Sequence, residues 1–172
     1  MDGYEAALAY LPPVLCRPLE RVSLELRRTV QELRLRAGMP VLLSTPQGEW
    51  AVGPSGQAVL FLGQEVLPDW LRCDRGQLAD TFQALCEYSV HAHQQELRQG
   101  YISTKTGCRA GVAGTAVVEN GEIVSLRAVT SLCIRVARPH EGCASELARR
   151  LTAGGRVYSA LICGEPSSGK SS

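Results

Sequence analysis

The stretch Val117-Val118-Glu119-Asn120-Gly121-Glu122-Ile123-Val124 constrains this fold more than any other. Asn-Gly accepts the positive φ angles that a two-residue type I′ turn imposes at both of its central positions, and β-formers flank it on each side. The chain therefore doubles back here as an antiparallel hairpin. A second signal of period two lies far upstream, where Leu33 and Leu35 alternate with Glu32, Arg34 and Arg36 in the manner of a half-buried strand. Turn chemistry at residues 37–40 leads to a returning strand at 41–44, a third at 48–52 and a fourth at 58–62. Residues 101–104 and 108–112 are strand-like. Leu132, Ile134 and Val136 alternate with Cys133, Arg135 and Ala137 until Pro139 stops the pattern.

Helical signals separate these strands. Residues 4–11 are rich in helix formers and end at Pro12-Pro13, with short helices expected at 15–20 and 24–28. Asp74 is an N-cap candidate for a helix whose Leu78, Phe82 and Leu85 recur at helical spacing on one face. A further helix over 91–99 ends at Gly100, and one more spans 141–151. The residues Thr152-Ala153-Gly154-Gly155 read as a linker. The expected class is α+β: N-terminal helices, a small antiparallel sheet over 31–62, a central helical segment, a second β-rich segment, then the first strand and phosphate loop of a truncated NTPase domain. The domain boundaries implied are 1–153 and 154–172.

Composition narrows the function. Eighteen basic and seventeen acidic residues leave a net charge of +1, so nothing calls for a nucleic-acid partner. No apolar run approaches the roughly 18 residues a membrane span needs, and no secretory leader is recognisable, which makes a cytoplasmic location the expectation. Seven scattered cysteines without a C-x-x-C pair argue against a zinc site or a disulfide framework and read as small core residues. On a helix, His91 and His93 would point about 200° apart and could not share a metal. They and His140 read as surface residues, and Glu96 and Arg98 as solvated helix charges.

The chemistry concentrates at residues 159–172. Gly164, Gly169, Lys170 and Ser171 fit the pattern G-x-x-x-x-G-K-[ST], with Glu165, Pro166, Ser167 and Ser168 between the glycines. The apolar run 159–163 before it reads as a short buried strand. In such a loop, successive backbone N–H groups cradle phosphates, Lys170 reaches the outer phosphates as the catalytic cation, and the Ser171 hydroxyl ligates magnesium. The expected cofactors are ATP and Mg. The remainder of a catalytic core does not follow, so this chain by itself is expected to be inactive. Arg127, Arg135 and Arg138 lie on or beside strands upstream. They read either as a solvated sheet face with salt bridges or as arginine fingers toward a nucleotide in the same or a neighbouring subunit.

The blocks LRLRAGMP at 33–40, QELRQGYI at 95–102 and CRAGVAGTAVVENGEIVSLRAVTSLCIRVAR at 108–138, followed by the phosphate loop, resemble the stage III sporulation protein AA family of endospore-forming bacteria. The resemblance covers nearly the whole chain. It implies an ATPase similar to the hexameric motors of type II and type IV secretion and pilus systems. Such a motor is expected to work in the mother-cell cytoplasm, energising the channel to the forespore beside a small membrane-anchored sporulation protein. On this resemblance Gly164, Gly169, Lys170 and Ser171 are the nucleotide-binding positions, and Arg127, Arg135 and Arg138 fall where similar motors supply arginines. A different class of function, a non-catalytic module for oligomer or membrane-complex assembly, is the alternative.

Overall fold

The computed structural model describes residues 2–63, 69–138, 142–153 and 155–165. Alternation in β1 (Glu32–Arg36) sets the frame, because Leu33 and Leu35 are buried on one face and Glu32, Arg34 and Arg36 stand on the other. β1 pairs antiparallel with β3 (Leu42–Thr45) on one side and with β9 (Glu122–Arg135) on the other. Leu33 consequently lies opposite both Leu43 and Ile134, three buried side chains across three strands. β4 (Gly48–Val52), β5 (Ala58–Leu60), β7 (Tyr101–Ser103) and β8 (Arg109–Glu119) extend the sheet to the order β5-β4-β3-β1-β9-β8-β7. Two short strands, β2 (Met39–Pro40) and β6 (Arg72–Cys73), pair separately. The small sheet and the second β-rich segment anticipated from sequence are thus one sheet. Period-two patterning names the face of a strand but not its partner, and β1 joins β9 across about a hundred residues of chain.

Helices supply the opposite side of the core. The buried cluster that contains Leu33, Leu35, Leu132 and Ile134 also contains Tyr4 and Leu8 of α1 (Gly3–Leu8) and Leu15 and Leu19 of α2 (Pro13–Glu20). It takes in Leu78, Phe82 and Leu85 of α4 (Arg75–Leu85) and Leu97 of α5 (Gln94–Arg98) as well. α3 (Leu24–Thr29) buries none of its residues and is capped by Ser23. Asp74 caps α4 as anticipated: its carboxylate accepts from the Gln77 N–H at 2.8 Å while Gln77 Oε1 accepts from the Asp74 N–H at 3.0 Å. The Tyr4 hydroxyl donates to the Leu19 carbonyl at 3.0 Å, tying α1 to α2. A 3-10 turn, Val90–His93, precedes α5 in place of one continuous helix.

The β8–β9 hairpin is long and turns at Asn120 (φ 52°) and Gly121 (φ 83°), the type I′ geometry that the dipeptide demands. Its pairing with β1 ends at Ser131 and with β7 at Gly111, so residues 115–127 continue as a two-stranded ribbon. The register shifts between Ala113 and Thr115, where one residue of β8 faces three of β9. Gly114 sits at this bulge, and Ala128 opposite adopts φ 47°.

The chain divides into two compact units, Met1–Ala137 and Arg138–Ser172, and the expected boundary at residue 153 falls inside the second. That unit holds α6 (Ser145–Leu151), shorter than its expected span, and the tiny hairpin of β10 (Thr152–Ala153) and β11 (Arg156–Val157). Of the residues read as a linker, Thr152 and Ala153 form β10. The strand expected over 159–163 is not formed: residues 158–165 have no regular structure, and Leu161 is 89% exposed. A strand has no hydrogen bonds of its own, and among the described residues none pairs with this segment.

Candidate functional site

Of the phosphate-loop residues, Gly164 and Glu165 are described and are exposed; Pro166, Ser167, Ser168, Gly169, Lys170 and Ser171 lie outside the described residues, as does His140. The chemistry that can be read geometrically belongs to the first unit and its arginines. β9 carries Arg127 and Arg135 to different surroundings, and Arg138 belongs to the second unit. Arg127 and Arg135 do not form one cluster.

Arg135 stands on the sheet face not covered by helices, in register with Glu32 on one side and Arg109 on the other. Arg109 stacks over the Tyr101 ring, 3.7 Å from its centroid, which occupies a guanidinium that would otherwise face a like charge. Glu32 is the hub of this face. It accepts from Arg34 Nη2 at 3.1 Å and Nε at 3.3 Å and from the Cys133 thiol at 3.2 Å, and Arg34 also pairs with Glu49. Burial works to raise the Glu32 pKa. The hydrogen bonds from Cys133 and Arg34, with the charges of Arg34 and Arg135, outweigh it and hold the carboxyl below the usual range. The Cys133 thiol is pushed up to about 11 by burial and by its bond to Glu32, so it serves as a proton-bearing donor rather than a nucleophile. Of these groups Arg34, Glu49 and Cys133 line a groove of about 570 Å³, which Arg36 also borders and whose remaining wall is largely apolar, with Met39, Leu42 and Phe61.

Arg127 lies at the bulge, on the rim of a separate hollow shared with Arg36 of β1 and Arg75 of α4. Sequence reading missed Arg36 and Arg75. Arg36 is the next outward position after Arg34 and looked like ordinary strand polarity. Arg75 carried a usable signal, because the first turn of α4 holds this cation and no acidic residue, contrary to what the helix dipole favours.

Other expected surface charges have partners. Glu96 accepts from His93 Nδ1 at 3.0 Å and from the Ser103 N–H at 3.3 Å, so it links α5 to β7 rather than being simply solvated. The His93 bond, followed by that of Ser103, keeps its carboxyl below the ordinary range despite the opposing effect of burial. Cys73, Cys86 and Cys108 are buried, Cys16 and Cys133 half-buried, and Cys143 and Cys163 exposed, so core placement holds for part of the set. Among the described residues no group of three or more His, Cys, Asp or Glu could hold a metal, and no helix is long and apolar enough to cross a membrane.

The order of these elements is that of a helix-backed antiparallel domain preceding a G-x-x-x-x-G-K-S sequence. A sequence model of the family described as "Sporulation stage III, protein AA" matches residues 4–172. The chain belongs to that family. It is similar to the "Stage III sporulation protein AA" of Bacillus subtilis (strain 168), 30% identical over 169 residues, which are 98% of this chain and 46% of that relative. The chain thus spans about half the length of the curated relative it matches. No solved structure matches it.

Proposed function

We propose that this chain is the N-terminal part of a sporulation ATPase that works as an oligomeric motor, hexameric if it is like its secretion and pilus counterparts. In this reading residues 164–171 take the phosphates of ATP on backbone N–H groups, Lys170 reaches the outer phosphates and Ser171 holds Mg. The bound nucleotide supplies the free energy of phosphoryl transfer. The first unit contributes shape and arginine charge, with Arg127 the best placed of the three finger candidates. Arg135 sits beside Glu32 in an ion-paired network, which suits it less to a mobile anion. The observation that carries the reading is the G-x-x-x-x-G-K-S spacing at 164–171, within the span of the family match. Binding of a fluorescent ATP analogue to the full-length protein with Mg tests it. Lys170→Ala should weaken binding at least tenfold, whereas unchanged affinity would remove the loop from the nucleotide site.

A second reading assigns the first unit a docking role on a membrane-anchored partner at the mother-cell membrane. The groove with Met39, Leu42 and Phe61 on the face free of helices favours it. Met39→Glu should then abolish capture of that partner from detergent extract while leaving nucleotide binding intact. Capture at wild-type level would exclude this groove.

A further inference from the structure

Residues 115–127 leave the sheet as an uncovered arm. Pairing with β1 ends at Ser131 and with β7 at Gly111, so beyond the bulge β8 and β9 have only each other. A two-stranded ribbon is marginal in water and gains stability when another element covers an apolar side. This arm carries apolar groups near its end: Val118 and Ile123 are cross-strand partners, 58% and 41% exposed. The next pair, Glu119 and Glu122, sets two carboxylates opposite each other beside the Asn120-Gly121 turn, an arrangement that their like charge opposes. Neither carboxylate makes a hydrogen bond or ion pair with any described residue. The tip is thus an apolar pair bounded by two unpaired negative charges.

The groove on the helix-free face has the complementary make-up. Met39, Leu42 and Phe61 give it an apolar wall, and Gly111, in register between Cys133 and Tyr101, leaves part of its floor without a side chain. Of its charged residues, Arg34 and Glu49 pair with each other, whereas Arg36 makes no hydrogen bond or ion pair with any described residue. Among the described residues the groove therefore offers a free cation beside an apolar wall, where the tip offers free carboxylates beside an apolar pair. The tip of one copy stands away from its own groove. Ala113 of β8 lines the groove, and from there to Asn120 the arm runs on the order of 20 Å at a strand's rise per residue.

We infer that the hairpin tip docks in the groove of a second copy of this chain, with Val118 and Ile123 against Met39, Leu42 and Phe61, and Glu119 and Glu122 toward Arg36. Arm and groove are different surfaces, so the contact is head-to-tail and every copy offers both halves; repetition closes a ring where the rotation from copy to copy permits. The inference rests on the proposed oligomeric motor only for the choice of a second copy as the occupant. The membrane-anchored partner of the second reading competes with it for the same groove.

Sedimentation velocity of the full-length protein over a concentration series, at low salt and without nucleotide, tests it. The unsubstituted protein is expected to associate. Ile123→Lys and Met39→Glu, both at exposed positions, should each raise the concentration of half-assembly at least tenfold with the far-UV circular dichroism unchanged. Arg36→Glu should weaken assembly about tenfold, the loss of one charge-assisted contact, as should Glu119→Lys combined with Glu122→Lys. All three changes in one chain should restore assembly, because every copy then carries reversed charge on both surfaces. A benzophenone photo-crosslinker at position 123, in a mixture of isotopically light and heavy copies, should join residues 39–42 or 61 of a different copy. Monomeric behaviour of the unsubstituted protein, assembly indifferent to residues 39 and 123, or no recovery in the charge-reversed combination overturns the contact. Crosslinks from arm to arm overturn the groove as the docking site, and loss of partner capture in Met39→Glu with assembly intact gives the groove to the membrane-anchored partner. If Lys170→Ala abolishes binding of the ATP analogue while assembly ignores residues 39 and 123, the docking falls and the ATPase reading stands; if assembly depends on both residues and no ATP is bound, the reverse holds.

Discussion

Gly114→Ala is the substitution that most sharply tests how the β8–β9 bulge positions Arg127. A Cβ built at Gly114 would lie 3.0 Å from the Arg127 carbonyl oxygen, 3.0 Å from Val129 Cα and 3.2 Å from the Ala128 carbonyl oxygen. All three are backbone atoms, and carbon contacts are optimal at about 3.5–4.0 Å, so the strand opposite must move. Overpacking of this kind costs about 1–3 kcal/mol. Reduced freedom of the unfolded chain returns about 0.4–1 kcal/mol, so the central values of the two ranges leave a net loss of about 1.3 kcal/mol. For a protein of this size each kcal/mol lowers the midpoint by about 2–4 °C, so thermal unfolding followed by circular dichroism should shift down by about 3–5 °C. Gly111→Ala is the control, because its Cβ would meet Cys133 Cβ at 3.8 Å and the Cys133 carbonyl oxygen at 3.9 Å, ordinary contact distances. It should stay within about 0.5 kcal/mol of wild type. Coincident unfolding curves for all three proteins would refute the claim that this bulge is sterically clamped.

Stability should plateau near neutrality and fall on both sides. Glu32 and Glu96 have carboxyl pKa values below their unfolded ones, so their contribution is present above about pH 4.3 and is lost as pH falls through the folded values. Glu32→Gln should therefore flatten the acid limb of a urea midpoint-versus-pH curve, and an unaltered limb would show that Glu32 is not a source of it. The Cys73, Cys86 and Cys133 thiols are raised to about 11, so their contribution is present below the unfolded value and lost as pH rises through about 11. Iodoacetamide at pH 8, read by mass spectrometry, should label Cys143 and Cys163 first and reach Cys73, Cys86 and Cys108 only after unfolding, in line with their exposure. Early labelling of the buried three would contradict the packing of α4 against the sheet.

Local structure was legible wherever one short stretch determines it. The Asn120-Gly121 turn, the Asp74 cap and the alternation at Leu33 and Leu35 each depend on chemistry within a few residues, and each is present. What depended on distant partners was not. β1 reaches β9 by a pairing that no nearby residue specifies, and it merges two expected sheets into one. The segment 159–163 has a strand's composition but no neighbour to pair with among the described residues. The candidate site divides along the same line: the residues 164–171 and Arg127 stand out in the sequence, whereas the Glu32 network forms only when β1 is brought beside β9 and Cys133. Glu96 looked solvated because its partners, His93 and Ser103, meet it only after α5 has docked beside β7.

The proposed function makes this chain part of an enzyme in which residues 164–171 serve the turnover of ATP. Steady-state hydrolysis by the full-length protein and its Lys170→Ala variant, assayed as phosphate release with Mg present, tests it most directly. The account predicts measurable turnover in the unsubstituted protein and a loss of about a hundredfold or more in the variant, the scale of removing one cation or donor that stabilises a developing phosphoryl transition state. Equal rates in the two proteins would contradict it.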